Sequence, residues 1–238
     1  MAVTWYDTKI LKIETLTDDV RRFWIENPGI RWQAGQFITF DLPIGEKRLQ
    51  RWRSYSIANA PSGKAPIELC IVRNPAGAGT RYLFESAAPG SVLRWKGPDG
   101  AFVLPPRLDH DLVMICTGTG LAPFRSMLQE IELRDIPHRH IHLIFGTRTA
   151  DSALYREELE LLARTMPGFR FDLVLSREPE WAGYKGYVHQ VYQEHYAETR
   201  PDVRFMICGW SRMIDEAVVH LIAEMGYDRT QVQYELYG

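Results

Sequence analysis

The chain has 238 residues, of which 45% are hydrophobic and 24% charged, and its formal net charge is −2. This length is enough for two domains, and the nearly balanced charge gives no reason to expect nucleic acid as the main partner. No apolar run is long enough to span a bilayer, and the N-terminus lacks the apolar core of a signal peptide, so we expect a cytoplasmic protein without membrane insertion.

Up to Leu104 the chain consists of short segments in which apolar and polar residues alternate, separated by turn signals. This pattern is typical of half-buried antiparallel strands. The predicted strands are Thr4–Thr15, Val20–Glu26, Gln36–Leu42, Arg53–Ala58, Ile67–Arg73 and Val92–Trp95. One helix is predicted, over Arg81–Ala87, and Pro89-Gly90 ends it. We therefore predict a small antiparallel β-barrel domain over residues 1–104.

The run Arg53-Ser54-Tyr55-Ser56 carries a cation, a ring and a hydroxyl on one predicted strand. Arg53 and Tyr55 share a face of the strand, whereas Ser56 points to the other or bends away where the strand ends. A guanidinium can hold a phosphate, a phenol can stack on a flat heterocycle, and a hydroxyl can reach a ring nitrogen. The run therefore indicates a flavin or nucleotide site.

The loop Gly77-Ala78-Gly79-Thr80 precedes the predicted helix of the first half. Thr80 is expected to be the N-cap residue, and the exposed N–H groups of a helix start suit a phosphate. A flexible hairpin loop without a ligand is the alternative.

Two prolines, Pro105 and Pro106, mark a break after which short apolar strands alternate with helices. Prolines favour an extended connection, so we place a domain boundary here. The alternation predicts a second domain over residues 105–238, an α/β domain with a parallel sheet covered on both faces. The predicted strands are Leu112–Cys116, Ile141–Phe145, Phe171–Leu175, Phe205–Cys208 and Val232–Tyr237. The predicted helices are Pro123–Arg134, Ser152–Thr165, Tyr187–Tyr196 and Ile214–Met225.

Ligands of such sheets bind beyond the carboxyl ends of the strands. The first strand is followed by the loop Thr117-Gly118-Thr119-Gly120, which opens a helix with Pro123 expected at its first position. The N–H groups and the dipole of this helix start suit a pyrophosphate, although Pro123 stands where the Rossmann fingerprint has its third glycine. A tight turn without a ligand is the alternative.

Cations and hydroxyls follow the next two strands: Arg148 the second, and Ser176 with Arg177 the third, with Lys185 and Tyr187 further along. They fit a phosphate monoester, with an adenine stacked on Tyr187. Ordinary solvated surface charge is the alternative.

The cysteines Cys70, Cys116 and Cys208 are scattered and form no Cys-x-x-Cys pair. An iron–sulfur cluster or a cysteine-type zinc site needs clustered thiolates, so we expect neither. Cys208, at a strand end before Gly209, is either a reactive thiol or, as free cysteines more often are, a small buried residue. His138, His140 and His142 alternate, for which a partly exposed strand start is favoured over a metal site. Trp181 and Trp210 are expected to serve packing.

Together these segments resemble the ferredoxin–NADP reductase superfamily, in the right order and over nearly the whole chain. The resemblance is to stand-alone flavin reductases without an iron–sulfur domain. Six segments carry it: Arg53-x-Tyr55-Ser56 (flavin motif), Leu69-Cys70-Ile71-Val72 (strand along the flavin), Gly77-x-x-Thr80 (flavin diphosphate loop), Gly118-Thr119-Gly120-Leu121-Ala122-Pro123 (nicotinamide-nucleotide loop, with Thr117 before it), Cys208-Gly209 (near the nicotinamide) and Tyr234-Glu235-Leu236-Tyr237 (the Glu-x-Tyr ending). Gly238, after the final aromatic, departs from the family pattern.

The resemblance implies roles for individual residues. Arg53 would hold the flavin phosphate, and Tyr55 would lie on one face of the ring. Ser56 and Glu235 would pass protons or shape charge near flavin N5, with Cys208 near the nicotinamide. Tyr237 would stack on the opposite face, where the nicotinamide must sit.

The resemblance also implies FAD, which stand-alone members usually bind, and a nicotinamide coenzyme. NADPH is favoured because Arg148, and no acidic residue, ends the second strand, and because Ser176, Arg177, Lys185 and Tyr187 resemble the family's 2′-phosphate site. NADH stays open, since NADH-using relatives also carry a Gly-Tyr-Val like the one at Tyr187.

The expected electron-transfer partner is ferredoxin or flavodoxin, and we expect this protein to be a monomer. Lys47, Arg48, Arg51 and Arg73 are either a basic rim that steers such an acidic carrier or scattered solvated charge. Two alternatives stay open. The chain could be an NADH-dependent reductase component of an oxygenase, or a flavin- or nucleotide-binding subunit of a larger redox complex.

Overall fold

A computed structural model describes residues 3–237, and the contacts of the chain cluster into two compact units. The first comprises the residues up to Leu104 together with Ala122–Leu133, and the second comprises Pro105–Leu121 together with the residues from Arg134 onward. The helix over 122–133 thus belongs with the first half, whereas the predicted domains, 1–104 and 105–238, place it with the second. Those domain ranges otherwise stay a prediction. Within the described residues no helix is both long and apolar enough to cross a membrane.

The first unit is built on a six-stranded antiparallel sheet with the strand order β4-β3-β6-β1-β2-β5. Its elements are β1 (Trp5–Thr15), β2 (Val20–Ile25), β3 (Phe37–Asp41), α1 (Arg48–Arg51), β4 (Trp52–Ser56), β5 (Ile67–Val72), α2 (Ala78–Glu85) and β6 (Val92–Asp99). The two end strands meet, because Ile57, directly after β4, forms an antiparallel bridge with Leu69 on β5. The sheet therefore closes into the predicted barrel.

Alternate side chains of these strands fill the interior of the barrel. Phe23, Ile38, Phe40 and Leu69 are fully buried there, as is Trp95. The Trp95 indole Nε1 donates a hydrogen bond of 2.8 Å to Thr8 Oγ1, so its polar atom is satisfied inside the core.

The second unit is built on a six-stranded parallel sheet with the order β10-β9-β8-β7-β11-β12. The elements after residue 104 are β7 (Asp111–Thr117), α3 (Leu121–Leu133), β8 (Ile141–Thr147), α4 (Arg156–Thr165), β9 (Phe169–Leu175), β10 (Tyr184–Lys185), α5 (His189–His195), β11 (Val203–Trp210), α6 (Ser211–Val218) and β12 (Val232–Tyr237). The chain runs outward from β7 to β10 and then returns to place β11 on the other side of β7. The strand order reverses there, and such a switch point is where ligands bind in open α/β sheets.

All five predicted helices begin at other residues than predicted, and in two of them the role of a residue near the start changes. Helix α2 begins at Ala78 with Gly77 as its N-cap, so Thr80 lies in the first turn and is not the cap. Helix α3 begins at Leu121, after a 3₁₀ turn over Gly118–Gly120, so Pro123 is the third and not the first helical residue. Proline is tolerated at both positions because the first N–H groups of a helix have no partner within it.

Other differences concern short or irregular elements. The four-residue helix α1 and the two-residue edge strand β10 were not predicted. Helix α6 ends at Val218 and continues as a π-helix over Val219–Glu224, where one regular helix was predicted. Elements this short contain too few residues to show a period.

Candidate functional site

Strand β4 presents Arg53 and Tyr55, the first two residues of the predicted flavin motif. The Arg53 guanidinium donates from Nη1 to the carbonyl oxygen of Trp52 at 2.7 Å. The ring of Tyr55 lies 5.8 Å from that of Phe40. Burial raises the pKa of Tyr55 to about 12, against the opposing effect of the positive charge of Arg53. The phenol is therefore uncharged at neutral pH and can both pack against a ring and donate a hydrogen bond.

Arg53 lies against the first turn of helix α2. A Cβ on Gly79 would come within 2.9 Å of Arg53 Cγ, so a larger residue there would push the Arg53 side chain aside. The guanidinium thus joins the N–H groups of a helix start, which is a suitable place for a phosphate group. The residues present fit the diphosphate of a flavin dinucleotide.

Thr80 supports the loop before α2 without capping the helix. Its Oγ1 donates to the carbonyl oxygen of Asn74 at 2.9 Å and accepts from the N–H of Asn74 at 3.0 Å. The hydroxyl therefore fixes the turn that ends at Gly77, which leads the chain into the helix.

Strand β5 turns Cys70 and Val72 away from the barrel core, in which Leu69 and Ile71 are buried. Ser56 is buried at the end of β4, opposite Phe37. Because β4 and β5 meet at the Ile57–Leu69 bridge, the two predicted flavin-binding segments lie on adjoining strands.

The loop over Thr117–Gly120 packs directly on the end of strand β11. A Cβ on Gly120 would meet the carbonyl oxygen of Cys208 and would lie 2.7 Å from its carbonyl carbon and 2.8 Å from Gly209 Cα. These neighbours are backbone atoms that cannot swing away, so only glycine fits. Gly118 has a φ of 54°, in the left-handed region that favours glycine. The structure thus brings the predicted nucleotide loop together with Cys208 and Gly209, at the switch point of the sheet.

Cys208 is fully buried on β11 and faces Glu235 in the parallel ladder with β12. Burial raises the pKa of the Cys208 thiol well above its ordinary value, and the nearby charge of Glu235 adds to the effect, against a hydrogen bond with Tyr237. The thiol therefore stays protonated at neutral pH, and of the two alternatives the structure favours the buried small residue over a reactive thiolate.

Glu235 and Tyr237 lie on one face of β12, two residues apart. Both are half-buried, and Tyr237 stands opposite Trp210 in the ladder. Gly238, the residue that departs from the family pattern, lies outside the described residues.

A row of cations lies along the carboxyl ends of β8, β9 and β10. The N–H of Arg177 donates to the carbonyl oxygen of Arg148 at 2.8 Å, and Lys185 pairs with Leu175 in the ladder of β10 with β9. Arg148, Arg177 and Lys185 are exposed, and none forms an ion pair with another residue of the range 3–237. Their charge is therefore available to an anionic ligand.

Two further predicted residues accompany this row. The Ser176 N–H donates to the carbonyl oxygen of Thr147 at 3.0 Å, which keeps its hydroxyl at the same edge. Tyr187 is 73% exposed, so its ring is accessible to a stacking partner.

Sequence reasoning assigned Trp210 to packing, but its side chain is 57% exposed. Its N–H lies 3.5 Å from Thr117 Oγ1, at the switch point of the sheet. The position of Trp210 directly after Cys208-Gly209, where a strand ends, is the sequence signal that could have placed it at the site.

His142 is a buried residue within the second unit. Its Nε2 lies 2.8 Å from Asp172 Oδ2, and its Nδ1 lies 2.9 Å from the Tyr196 hydroxyl. It sits near the amino end of β8, at the opposite end of the strand from the candidate site. Among the described residues no group of three His, Cys, Asp or Glu side chains is arranged to hold a metal ion.

Residues 7–104 match the family described as "Oxidoreductase FAD-binding domain", and residues 114–218 match "Oxidoreductase NAD-binding domain". The chain belongs to this family of flavin- and nicotinamide-dependent oxidoreductases, which includes the ferredoxin–NADP reductases. It is therefore an oxidoreductase enzyme that uses FAD and a nicotinamide coenzyme.

Similar proteins include a ferredoxin–NADP reductase and a protein of a phenol hydroxylase. Ferredoxin–NADP reductase B of Sorangium cellulosum is 34% identical over 98% of this chain and 97% of its own length. Phenol hydroxylase P5 protein of Acinetobacter pittii is 30% identical over 94% of this chain, which spans 63% of that relative.

Two solved structures are similar over 99% of this chain. A cytochrome P450 reductase of Amycolatopsis has a TM-score of 0.86 at 28% identity, with 71% of it covered. A ferredoxin NADP⁺ reductase of Neisseria gonorrhoeae with bound FAD and NADP has a TM-score of 0.82 at 26% identity, with 99% of it covered. The fold predicted for both halves is confirmed.

Proposed function

We propose that this enzyme moves electrons between NADPH and a small one-electron carrier, with ferredoxin or flavodoxin as the leading candidate. The observation that carries the proposal is the row of unpaired cations Arg148, Arg177 and Lys185 at the edge of the nucleotide sheet. An acidic side chain there would serve the free 2′-hydroxyl of NADH, whereas cations serve a 2′-phosphate. Similarity to ferredoxin–NADP reductase B over nearly the whole of both chains supports the carrier.

FAD supplies the redox chemistry when bound, accepting a hydride and passing electrons on. We propose that Arg53 and the start of α2 hold its diphosphate, that Tyr55 packs on the ring, and that Cys70 and Val72 line it. Ser56 and Glu235 are proposed to hold or pass protons near the reacting atoms. We propose that the thiol of Cys208 would pack beside the nicotinamide, and that Tyr237 would stack on the flavin ring where the nicotinamide must sit.

The coenzyme preference is tested by the ratio of kcat/KM for NADPH to that for NADH. We expect a ratio above one for the wild type. Arg177→Ala should lower it about tenfold or more through the NADPH value alone, because a charge-assisted contact to phosphate is lost. Arg164→Ala, an exposed arginine at the last turn of α4, is the matched control and should leave the ratio unchanged. A wild-type ratio below one would contradict the NADPH assignment.

The predicted basic rim is weaker in the structure than in the sequence. Arg51 forms an ion pair of 2.6 Å with Asp41, and Arg73 forms one of 2.7 Å with Glu85. We therefore propose that Lys47 and Arg48 provide the positive charge that attracts an acidic carrier. The double variant Lys47→Glu, Arg48→Glu should slow reduction of an added acidic ferredoxin at low salt, and the difference should vanish at high salt. Reduction without any ionic-strength dependence would refute the steering.

A reductase component that serves an oxygenase with NADH is the second candidate. The similarity to phenol hydroxylase P5 protein and to the P450 reductase favours it, although both are longer than this chain. Anaerobic reduction by NADPH and by NADH, followed by titration with host ferredoxins and flavodoxins, separates the two candidates. A purified sample without flavin absorbance would instead favour a binding subunit of a larger complex. The cytoplasmic location and the monomeric state stay predictions.

A further inference from the structure

A buried cluster of charged and polar side chains in the first unit has no part in the function proposed above. Glu68 and Arg125 are each only 4% exposed, and Ser126 is fully buried. Glu68 lies on β5, whereas Arg125 and Ser126 lie on α3, within the part of that helix that belongs to the first unit. Burying two charges is costly, and a buried ion pair often contributes less stability than apolar side chains would. The cluster therefore calls for a role other than stability.

The cluster spans the seam where the barrel closes. Arg125 Nη1 donates to the Ala58 carbonyl oxygen at 2.7 Å and to Glu68 Oε1 at 2.8 Å. One guanidinium therefore joins the segment that leaves β4 to a side chain of β5. The second oxygen of Glu68, Oε2, accepts from Arg22 Nη2 at 2.8 Å. The carboxylate is thus held on both sides, which fixes its direction.

Neighbouring residues of α3 strengthen the same connection. The Ser126 hydroxyl donates to the Asn59 carbonyl oxygen at 2.7 Å, and Gln129 Oε1 accepts from the Ala60 N–H at 3.0 Å. The strands are joined here by the isolated bridge Ile57–Leu69, to which the 2.8 Å bond from the Ala58 N–H to the Glu68 carbonyl oxygen belongs. The Asn59 side chain adds a bond, because its Oδ1 accepts from the Glu68 N–H at 2.9 Å. Side chains of α3 therefore reinforce a seam that is formed by an isolated bridge.

The two strands joined at this seam are those that carry the candidate flavin contacts. The run Arg53–Ser56 ends two residues before Ala58, and Cys70 stands two residues after Glu68, on the same face of β5. We propose that Arg125, with Ser126, is a positioning residue for the flavin: it fixes the spacing of β4 and β5 at the seam without touching the cofactor. This inference rests on the proposed assignment of Arg53, Tyr55 and Cys70 to the flavin site.

The test measures flavin binding in place of turnover. Arg125→Lys keeps a charge beside Glu68 but shortens the side chain, so its single ammonium nitrogen no longer stands where Nη1 meets both Glu68 and Ala58. Its Kd for FAD, measured on deflavinated protein by quenching of FAD fluorescence, should rise about tenfold, as for one or two lost buried hydrogen bonds. The visible circular dichroism of the bound flavin should change as well, because the ring would sit differently. Ser126→Ala should show the same changes at about threefold in Kd.

Glu132→Gln, on the exposed side of the same helix, is the matched control and should leave both readouts at wild-type values. The thermal midpoint of each flavin-free variant is measured beside them. Folded Arg125→Lys and Ser126→Ala proteins with wild-type Kd and circular dichroism would overturn the proposal, whatever their midpoints. If Arg125→Lys does not fold, Ser126→Ala decides alone. Arg53→Ala tests the underlying flavin site: an unchanged Kd there would refute the assignment itself, independently of the seam.

Discussion

Replacing Gly120 by alanine tests whether the turn after β7 holds the nicotinamide nucleotide. The new Cβ would lie 2.7 Å from the Cys208 carbonyl carbon and 2.8 Å from Gly209 Cα, whereas carbon atoms pack at about 3.5–4.0 Å. The turn must therefore move by about 1 Å, since β11 is buried and cannot yield. Such overpacking should lower the free energy of unfolding by about 1–3 kcal/mol. A displacement of about 1 Å should slow hydride transfer by about a hundredfold.

The assay is anaerobic stopped-flow loss of flavin absorbance on mixing with NADPH. Gly63→Ala is the matched control: its φ is +59°, and no atom lies within 4 Å of the added Cβ. It should cost about 1 kcal/mol of stability through backbone strain and leave the reduction rate unchanged. A Gly120→Ala enzyme with wild-type rate and KM for NADPH would refute the nucleotide role of this turn.

Two further predictions concern buried groups. Cys70, Cys116 and Cys208 are all buried, and burial raises the thiol pKa of Cys116 and Cys208. The native protein should therefore resist a thiol reagent that labels all three cysteines after unfolding. Rapid labelling of Cys208 in the native state would contradict its assignment as a neutral buried thiol. Burial also lowers the pKa of His142, against the favourable effect of Asp172, so the folded protein takes up fewer protons there than the unfolded chain. The free energy of unfolding should therefore fall as the pH drops below about 6.5, the ordinary pKa of histidine. His142→Gln should flatten this pH dependence in denaturant titrations. If the substitution leaves the pH dependence of the unfolding free energy unchanged, other groups cause it.

The sequence was sufficient for the parts of the fold that depend on periodicity. Alternation predicted the six strands of the barrel, and continuous apolar runs predicted the strands β7, β8, β9 and β11. The rule that ligands bind at strand ends then predicted where Gly120, Arg177 and Gly209 would lie, and the structure places all three at those ends.

What the sequence could not predict depends on contacts between distant segments. Thr80 matched an N-cap pattern, but its hydroxyl donates to the Asn74 carbonyl oxygen, and Gly77 is the N-cap residue. The buried charge of Glu68 interrupts an apolar strand, and its partner Arg125 lies 57 residues further along the chain, on helix α3. The apolar pattern of that helix does not indicate which of the two units it packs against. Local spacing has no information about such pairs.

The arginines show why composition alone cannot locate an anion site. Arg51 and Arg73 are each neutralised by a carboxylate, and Arg125 is enclosed with Glu68, so their charges are used within the fold. Arg148 and Arg177 follow strands of the parallel sheet and are exposed, and no carboxylate of the described chain pairs with them. Because a guanidinium that already holds a carboxylate is a weaker partner for a phosphate, the charge that meets a 2′-phosphate must come from the second group. The edge of the nucleotide sheet, and not the more numerous paired arginines of the barrel, is therefore where a 2′-phosphate would be discriminated.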